Sequence, residues 1–460
     1  RKMAQMTKSV RMRGMNLLHF VLMVAVMTIA WLTMYSPSIA PQTAQITTTA
    51  VLLCYLVLSV FLYQTYNAYK IGMYRAGETF YSLTLANLIG NALTYLFACL
   101  IQQRLLNCVP VLFVLVVQTA ISGLWCLAAN QIYFKLYKPM KTLVIYKDEE
   151  DLEKLNEIVF FENRFDVIGK LRDPDDVFEI LPKLQGCQAA IVSGVDATLR
   201  NGIVKACIDQ NVACYFIPHQ GDVIIAGAKH VQSFSIPIME TGRAVLSPEY
   251  ALIKRAMDIV CSTLALVVLS PFMLATAIVI KAYDHGPVLY KQVRLTKDGK
   301  HYAILKFRSM RVDAEKDGVA RLASDHDDRI TPVGRLIRAI RFDELPQLIN
   351  ILKGDMSIVG PRPERPEIAA QYEKEMPAFS LRLQVKAGLT GTAQVYGRYN
   401  TEPRDKLKMD LMYINRMSLA EDLKLIFATI KILLMKESTQ GVEHGHTTAE
   451  KADNAVEKSA

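Results

Sequence analysis

From Gly14 to Tyr69 the chain carries no Asp, Glu, Lys or Arg, and the same holds for Thr79–Gln103, Leu105–Phe134 and Ile259–Ile280. A helix that crosses a bilayer needs about 20 apolar residues, so these runs confine the chain to membrane-resident architectures and exclude a purely cytosolic enzyme. With 51% hydrophobic residues and a mean hydropathy of +0.19, a disordered chain is excluded too. Ser36-Pro37 and Pro41-Gln42 divide the first run, which predicts spans near 17–35, 47–67, 82–102 and 109–133. Ser38-Ile39-Ala40 has the look of a signal-peptide cleavage site, but the apolar core before it is too long for one.

The formal net charge of +9 is concentrated beside these runs. Arg1, Lys2, Lys8, Arg11 and Arg13 precede the first span, Lys70 and Arg75 lie in the second loop, and Lys135, Lys138 and Lys141 follow the fourth span. The positive-inside rule then places the N-terminus, the second loop and everything after residue 135 in the cytoplasm. The basic residues are not interleaved with aromatics, so no nucleic-acid partner is expected. None of the eight cysteines has CxxC spacing, which points to reduced thiols rather than a zinc site or disulfides.

Residues 141–240 alternate β-rich runs (142–146, 189–193, 212–218) with helical ones (149–161, 197–210), the pattern of βαβ units and a parallel sheet. The first strand runs into Lys147-Asp148-Glu149-Glu150, where a dinucleotide-binding turn needs glycines, so the module reads as a degenerate Rossmann-like domain for regulation or dimerisation. The fold class expected is a four-helix transmembrane bundle (17–135) after a basic cytoplasmic N-terminus (1–16), then the α/β module (141–240). A mainly helical catalytic domain (248–436) and a disordered polar tail (437–460) complete the chain. Ser270-Pro271 sits in the middle of Ile259–Ile280, so this run is expected to enter the membrane, break at the Pro and return to the same face, over about 256–282.

Chemistry-bearing residues crowd between Tyr290 and Arg416. Lys306-Phe307-Arg308 offers two cations after a strand-like run. Asp327-Asp328 precede Thr331-Pro332, which read as N-cap and first residue of a helix with Arg335, Arg338 and Arg341 on one side and aliphatics on another. That helix is expected to run into Asp343-Glu344-Leu345-Pro346, where Pro346 disfavours helical geometry at its neighbour. Two adjacent carboxylates on a helix point about 100° apart, so one can attack while the other holds a cation. Gly360-Pro361-Arg362-Pro363 pins the backbone around one guanidinium, a form suited to phosphate, and Gly388–Gln394 is a glycine-bracketed turn. A cationic site with a carboxylate pair fits transfer of a phosphorylated group.

These motifs, with Lys353-Gly354-Asp355-Met356-Ser357, resemble the bacterial sugar transferases, or monotopic phosphoglycosyl transferases, in their large form. The resemblance covers residues 248–436. It implies transfer of a sugar-1-phosphate, with a hexose such as glucose or galactose expected, from a UDP-sugar to undecaprenyl phosphate with release of UMP. That reaction initiates capsule, exopolysaccharide or O-antigen synthesis. It also implies Asp343 as nucleophile, Glu344 as its partner, Mg²⁺ on one or both carboxylates, and Lys306, Arg338 and Arg362 on phosphates, with Arg308 a further substrate-binding candidate. Gln394 and Arg398 become substrate-binding residues and Ser270-Pro271 the re-entrant break. Thr392 and Tyr399 depart from the family pattern. A homodimer in contact with membrane lipid is expected. Direct transfer in a ternary complex, and a non-catalytic scaffold of polysaccharide assembly, are the alternatives.

Overall fold

The computed structural model describes residues 2–39, 41–74, 76–156, 164–233, 236–312, 329–397 and 401–433. Arg75, residues 157–161 of the first expected α/β helix, Asp327-Asp328, Arg398, Tyr399 and the 437–460 tail therefore lie outside the described residues. The chain divides into two compact units, Arg1–Ile217 and Pro218–Ala460.

The first unit opens with helices α1 (Lys2–Ala30), α2 (Pro41–Thr65), α3 (Ala76–Gln102) and α4 (Val109–Leu136). Each is long and apolar enough to cross a membrane, as is Pro248–Asp284 in the second unit. Between α1 and α2 the chain tightens at Ser36–Ser38 around Pro37, and Pro41 starts α2, so the two proline pairs set the division as expected. Large aliphatics such as Leu100 and Leu124 face outward, while His19, Gln118 and Ser122 are fully buried. His19 Nδ1 and Nε2 lie 2.9 Å from the Tyr69 hydroxyl and 3.2 Å from Ser122 Oγ; Gln118 Nε2 donates to the Tyr55 hydroxyl at 2.8 Å. Apolar outside and polar inside is the pattern of helices in lipid, where each buried polar group must find a partner.

After α4 comes an all-parallel sheet of four strands in the order β2-β1-β3-β4, with β1 Met140–Tyr146, β2 Phe165–Arg172, β3 Ala189–Ser193 and β4 Ala213–Phe216. β2 has no counterpart among the expected strands. It is an edge strand that buries only Phe165 and Leu171 deeply, so Phe165–Arg172 carries no continuous apolar run. The crevice where such a sheet takes a phosphate lies beyond β1 and β3. Here Ser193 Oγ donates to Asp151 Oδ1 at 2.9 Å, and a Cβ on Gly194 would stand 1.8 Å from Asp151 Oδ2. A carboxylate fills the place of the glycine-lined cradle.

The packing boundary falls before the end of the expected 141–240 module. Val223 belongs to the core of the second unit, and Asn415 Nδ2 donates to its carbonyl at 2.7 Å. The centre of that unit is a cluster around Ile351, Met356, Leu407 and Leu425, all at 0% exposure. Ile351→Ala is expected to cost about 2–5 kcal/mol, read as lower thermal stability in detergent.

The helix Pro248–Asp284 (α5 here, as the membrane helix of the second unit) is capped by Ser247, with Pro248 at its first position and His285 in left-handed conformation after its end. Ser270-Pro271, where the break is expected, lies inside this helix. Pro271 cannot donate to the Val267 carbonyl, but Ser270 Oγ does so at 2.8 Å, so the freed acceptor is satisfied locally. Both ends of α5 are fastened into the second unit. Lys254 Nζ reaches Asp422 Oδ2 at 2.7 Å and the Tyr413 hydroxyl at 3.2 Å, and Asp258 Oδ1 accepts from Ile358 N at 2.9 Å. At the other end Ile280 packs with Phe307 and Ile337, and Asp284 pairs with Arg308. Between them Val260, Leu264, Val267, Val268, Phe272 and Leu274 are exposed.

Candidate active site

Three short elements bring the site together. An antiparallel hairpin of Leu289–Leu295 and His301–Phe307 presents Lys306 near its end. Asn350 is 1% exposed and fixes that strand by accepting from Leu305 N at 3.0 Å and donating to Ala303 O at 2.9 Å. The helix Pro332–Ala339 starts as the sequence predicts, with Thr331 Oγ1 accepting from Gly334 N at 2.9 Å and Pro332 at its first position.

It does not run on to the carboxylates. The helix ends at Ala339, Arg341 turns the chain with φ 53°, and Phe342–Glu344 form a single 3₁₀ turn. Pro346 does not interrupt anything either. Leu345 is right-handed helical, and Pro346 leads into the helix Gln347–Lys353, where a missing N–H costs nothing. Leu348 and Ile351 of that helix are core, at 5% and 0% exposure. Of the large aliphatics on the Pro332–Ala339 helix and its end, Leu336 and Ile340 face outward and Ile337 is buried.

Glu344 is the electrostatic centre. Its Oε1 accepts from Lys306 Nζ and from Arg362 Nη2, each at 3.0 Å. Burial opposes its charge, yet Lys306, Arg362 and Arg341 outweigh burial and hold the carboxyl well below the usual carboxylate range. Asp343 takes no hydrogen bond or ion pair among the described residues. Burial and the adjacent Glu344 charge push it up to about 6, against the pull of Lys306, Arg338 and Arg362. Neighbouring carboxylates with pKa values driven apart are the mark of divided roles. One is locked as an anion between cations; the other is free to react.

Arg362 is held from behind. Parallel strands Ser357–Val359 and Gly388–Thr390 lead into its loop, with Gly360 N donating to Thr390 O at 2.9 Å and Gly388 N to Pro361 O at 2.8 Å. A Cβ on Gly388 would stand 2.1 Å from Gly360 N, and one on Gly391 2.2 Å from Gly360 O. The glycine-bracketed turn thus exists for backbone contact with the arginine loop. Arg382, 4% exposed, donates from Nη2 to the Arg362 carbonyl at 2.8 Å and lies 2.8 Å from Asp410 Oδ2. Burial pushes the Asp410 carboxyl up to about 6, against the pull of Arg382.

Of the expected site residues, Asp343, Glu344, Lys306 and Arg362 converge, and Arg338 acts on Asp343 through its charge. Arg308 does not join them. It is 7% exposed and paired with Asp284 at the end of α5, because its backbone N–H is committed to Val288 O there. Gln394 is tied to its own turn, donating to Leu389 O at 3.4 Å. Arg382, Asp410 and Asn350 escape sequence reading, since nothing local marks them. The only signal is the polar Gln347 and Asn350 inside an otherwise apolar helix. Replacing Arg382 by Gln is expected to release the Arg362 loop and raise the acid limb of activity, in the same direction as loss of Arg362, while Arg382→Lys retains part of the effect; pH profiles of both variants check this.

Among the described residues no three His, Cys, Asp or Glu side chains gather into an all-protein metal cage. Magnesium needs less, since one or two carboxylates suffice when substrate phosphates and water complete its shell. The oxygen donors of Asp343 and Glu344 fit that requirement.

Fold and site together define a membrane protein whose second unit offers a carboxylate, Asp343, beside a cluster of cations. The family model for bacterial sugar transferases matches residues 249–436. The chain is 41% identical over 190 residues to the UDP-glucose:undecaprenyl-phosphate glucose-1-phosphate transferase of Caulobacter vibrioides, covering 40% of this chain and 71% of that protein. It is 43% identical over 198 residues to the UDP-N-acetylgalactosamine-undecaprenyl-phosphate N-acetylgalactosaminephosphotransferase of Aeromonas hydrophila, covering 42% and 47%. With the UDP-glucose:undecaprenyl-phosphate glucose-1-phosphate transferase of Escherichia coli it shares 37% identity over 233 residues, covering 50% of each. The chain belongs to the bacterial sugar transferase family. It matches about half the length of the Aeromonas and Escherichia relatives.

Proposed function

We propose that this chain transfers a hexose-1-phosphate from a UDP-sugar such as UDP-glucose or UDP-galactose to undecaprenyl phosphate, releasing UMP, in two steps through Asp343. The observation that carries the reading is the division between the carboxylates: Glu344 is clamped by Lys306 and Arg362, while Asp343 takes no described partner. In the first step an Asp343 oxygen attacks the β-phosphorus, a phosphorus–oxygen bond to the carboxylate forms, the diphosphate bridge breaks and UMP leaves. In the second an oxygen of undecaprenyl phosphate attacks the same phosphorus, the bond to Asp343 breaks, and the carboxylate is regenerated.

Lys306, Arg362 and Arg338 offset the charge of the diphosphate, and the low titration of Glu344 keeps the two nearest cations aimed at the site. Mg²⁺ held by Asp343 and Glu344 would supply further charge neutralisation on the phosphates. Gln394 and Arg398 are assigned to the donor's nucleotide or sugar.

The membrane arrangement belongs to the same reading: four transmembrane helices, and α5 as a re-entrant helix with the catalytic unit on the cytoplasmic face of a bacterial inner membrane. Anchorage of both α5 ends in one unit supports the re-entrant course. A greasy acceptor and a soluble donor then meet at the interface. We assign the α/β module to homodimerisation; deleting it should lower the oligomeric mass in nanodiscs.

The test is UMP release by the purified chain in nanodiscs with Mg²⁺ and undecaprenyl phosphate, across a panel of UDP-sugars. Release with one sugar names the donor. Parallel double-reciprocal lines and a protein adduct of phosphosugar mass support two steps, and intersecting lines without adduct favour direct transfer. No release with any donor favours the scaffold alternative.

A further inference from the structure

Every carbonyl of Pro361-Arg362-Pro363-Glu364, the loop that carries Arg362, is bonded to another part of the chain. Pro361 O accepts from Gly388 N at 2.8 Å, and Arg362 O from Arg382 Nη2 at 2.8 Å. Pro363 O accepts from Arg294 Nη1 at 3.2 Å, and Glu364 O from Leu295 N at 3.0 Å. Loops run over the surface, where water can take such groups. Here all four go to protein and the two prolines fix φ, so the path of the backbone at Arg362 is set before any substrate arrives.

Two of the four donors are guanidiniums, and one carboxylate lies between them. Glu364 Oε2 stands 3.9 Å from Arg294 Nη1, and Glu364 Oε1 3.5 Å from Arg382 Nη1. The surrounding charge is mostly positive. The hairpin contributes Arg294, the segment Pro377–Gln384 Arg382, and the helix Pro403–Asn415 Lys406 and Asp410, while Arg362 and Arg365 flank Glu364 in its own loop. Arg294 and Arg382 side chains are only 18% and 5% exposed, so water does little to screen their repulsion. Burial lowers the Arg294 pKa, Glu364 opposes that, and Arg362 and Arg365 lower it further. Asp410 pairs with Arg382, whereas Glu364 is within ion-pair distance of both carbonyl-holding arginines. The far side of Arg294 is tied by Nη2 donating to Gln292 Oε1 at 2.6 Å.

We propose that Glu364 and Arg294 are positioning residues for Arg362. The Glu364 carboxylate keeps the Arg294 and Arg382 guanidiniums side by side, and their bonds to the Pro363 and Arg362 carbonyls set where the Arg362 guanidinium meets a substrate phosphate. Both act through Arg362 and neither is assigned a substrate contact. The inference deepens the transfer reading and rests on it for the phosphate. Two routes from Glu364 to the acid limb have opposite signs, which makes the role separable. Loss of a nearby negative charge by itself lowers the pKa of a carboxyl. Release of Arg362 instead weakens a cation that pulls Asp343 downward, so the Asp343 carboxyl rises.

The test uses the full chain in nanodiscs, read by hydrogen exchange and by the pH profile of UMP release. The amides of Gly388 and Leu295 donate to this loop, so their exchange reports on it directly. In Glu364→Gln both should exchange roughly tenfold faster, with the helix Pro403–Asn415 unchanged. UMP-forming kcat/KM should fall about tenfold and the acid limb should move to higher pH, while Glu364→Asp restores most of both. Arg294→Gln should act in the same direction, and the double variant should lose no more than the worse single one. Unchanged exchange at Gly388 and Leu295, or an acid limb that stays or moves to lower pH, would overturn the role of Glu364. Losses that multiply in the double variant would overturn its partnership with Arg294. If wild type releases no UMP from any donor, the transfer reading fails, and the exchange result still decides whether Glu364 holds the loop.

Discussion

Replacing Asp343 by Asn is expected to reduce UMP release by roughly 10⁴-fold or more, the scale seen when a covalent nucleophile is removed, and to abolish the phosphosugar adduct. The side chain keeps its size, and Glu344 keeps both cations, so folding should be unaffected. The wild-type pH profile gives the companion result. Burial and Glu344 hold Asp343 at about 6, and only its carboxylate form can attack. UMP-forming kcat/KM should thus be level above that value and fall about tenfold per pH unit below it. Normal activity of Asp343→Asn, or a profile level down to pH 4, would remove Asp343 from the nucleophile's role.

The second large effect belongs to Arg362→Gln. Loss of a fixed cation at a phosphate site is expected to cost about 10²–10³-fold in kcat/KM. The same substitution removes one of three cations that pull Asp343 downward, so the acid limb should move to higher pH. A rate loss with an unmoved limb would mean that Arg362 meets substrate without acting on Asp343. Parallel measurements on Lys306→Gln distinguish the two cations, since Lys306 also lowers both carboxylates.

Much of this architecture was legible in the sequence where a single physical rule operates over a long stretch. Uncharged runs gave the five long apolar helices, and Thr331-Pro332 marked a helix start to the residue. Sequence was least informative where two residues of one type stand close together. Lys306 and Arg308 are two apart, yet one meets Glu344 and the other meets Asp284, and only the tertiary course of α5 decides which. Pro346 shows the opposite limit: the rule against helix before proline is sound, but the chain had already turned at Arg341. Arg382 and Asp410 come together from separate elements, so no local pattern could announce them.

The contact among Gly360, Gly388 and Gly391 has a consequence for anyone recombining members of this family. Backbone there touches backbone, so the segments on either side cannot be exchanged independently: a donor loop spliced in between 360 and 391 would bring its own spacing against a partner that cannot yield. Useful crossover points lie outside that weld, before Ser357 or after Gly391. Chimaeras built to alter sugar preference should inherit the whole 357–391 stretch from one parent and take their variation from elsewhere.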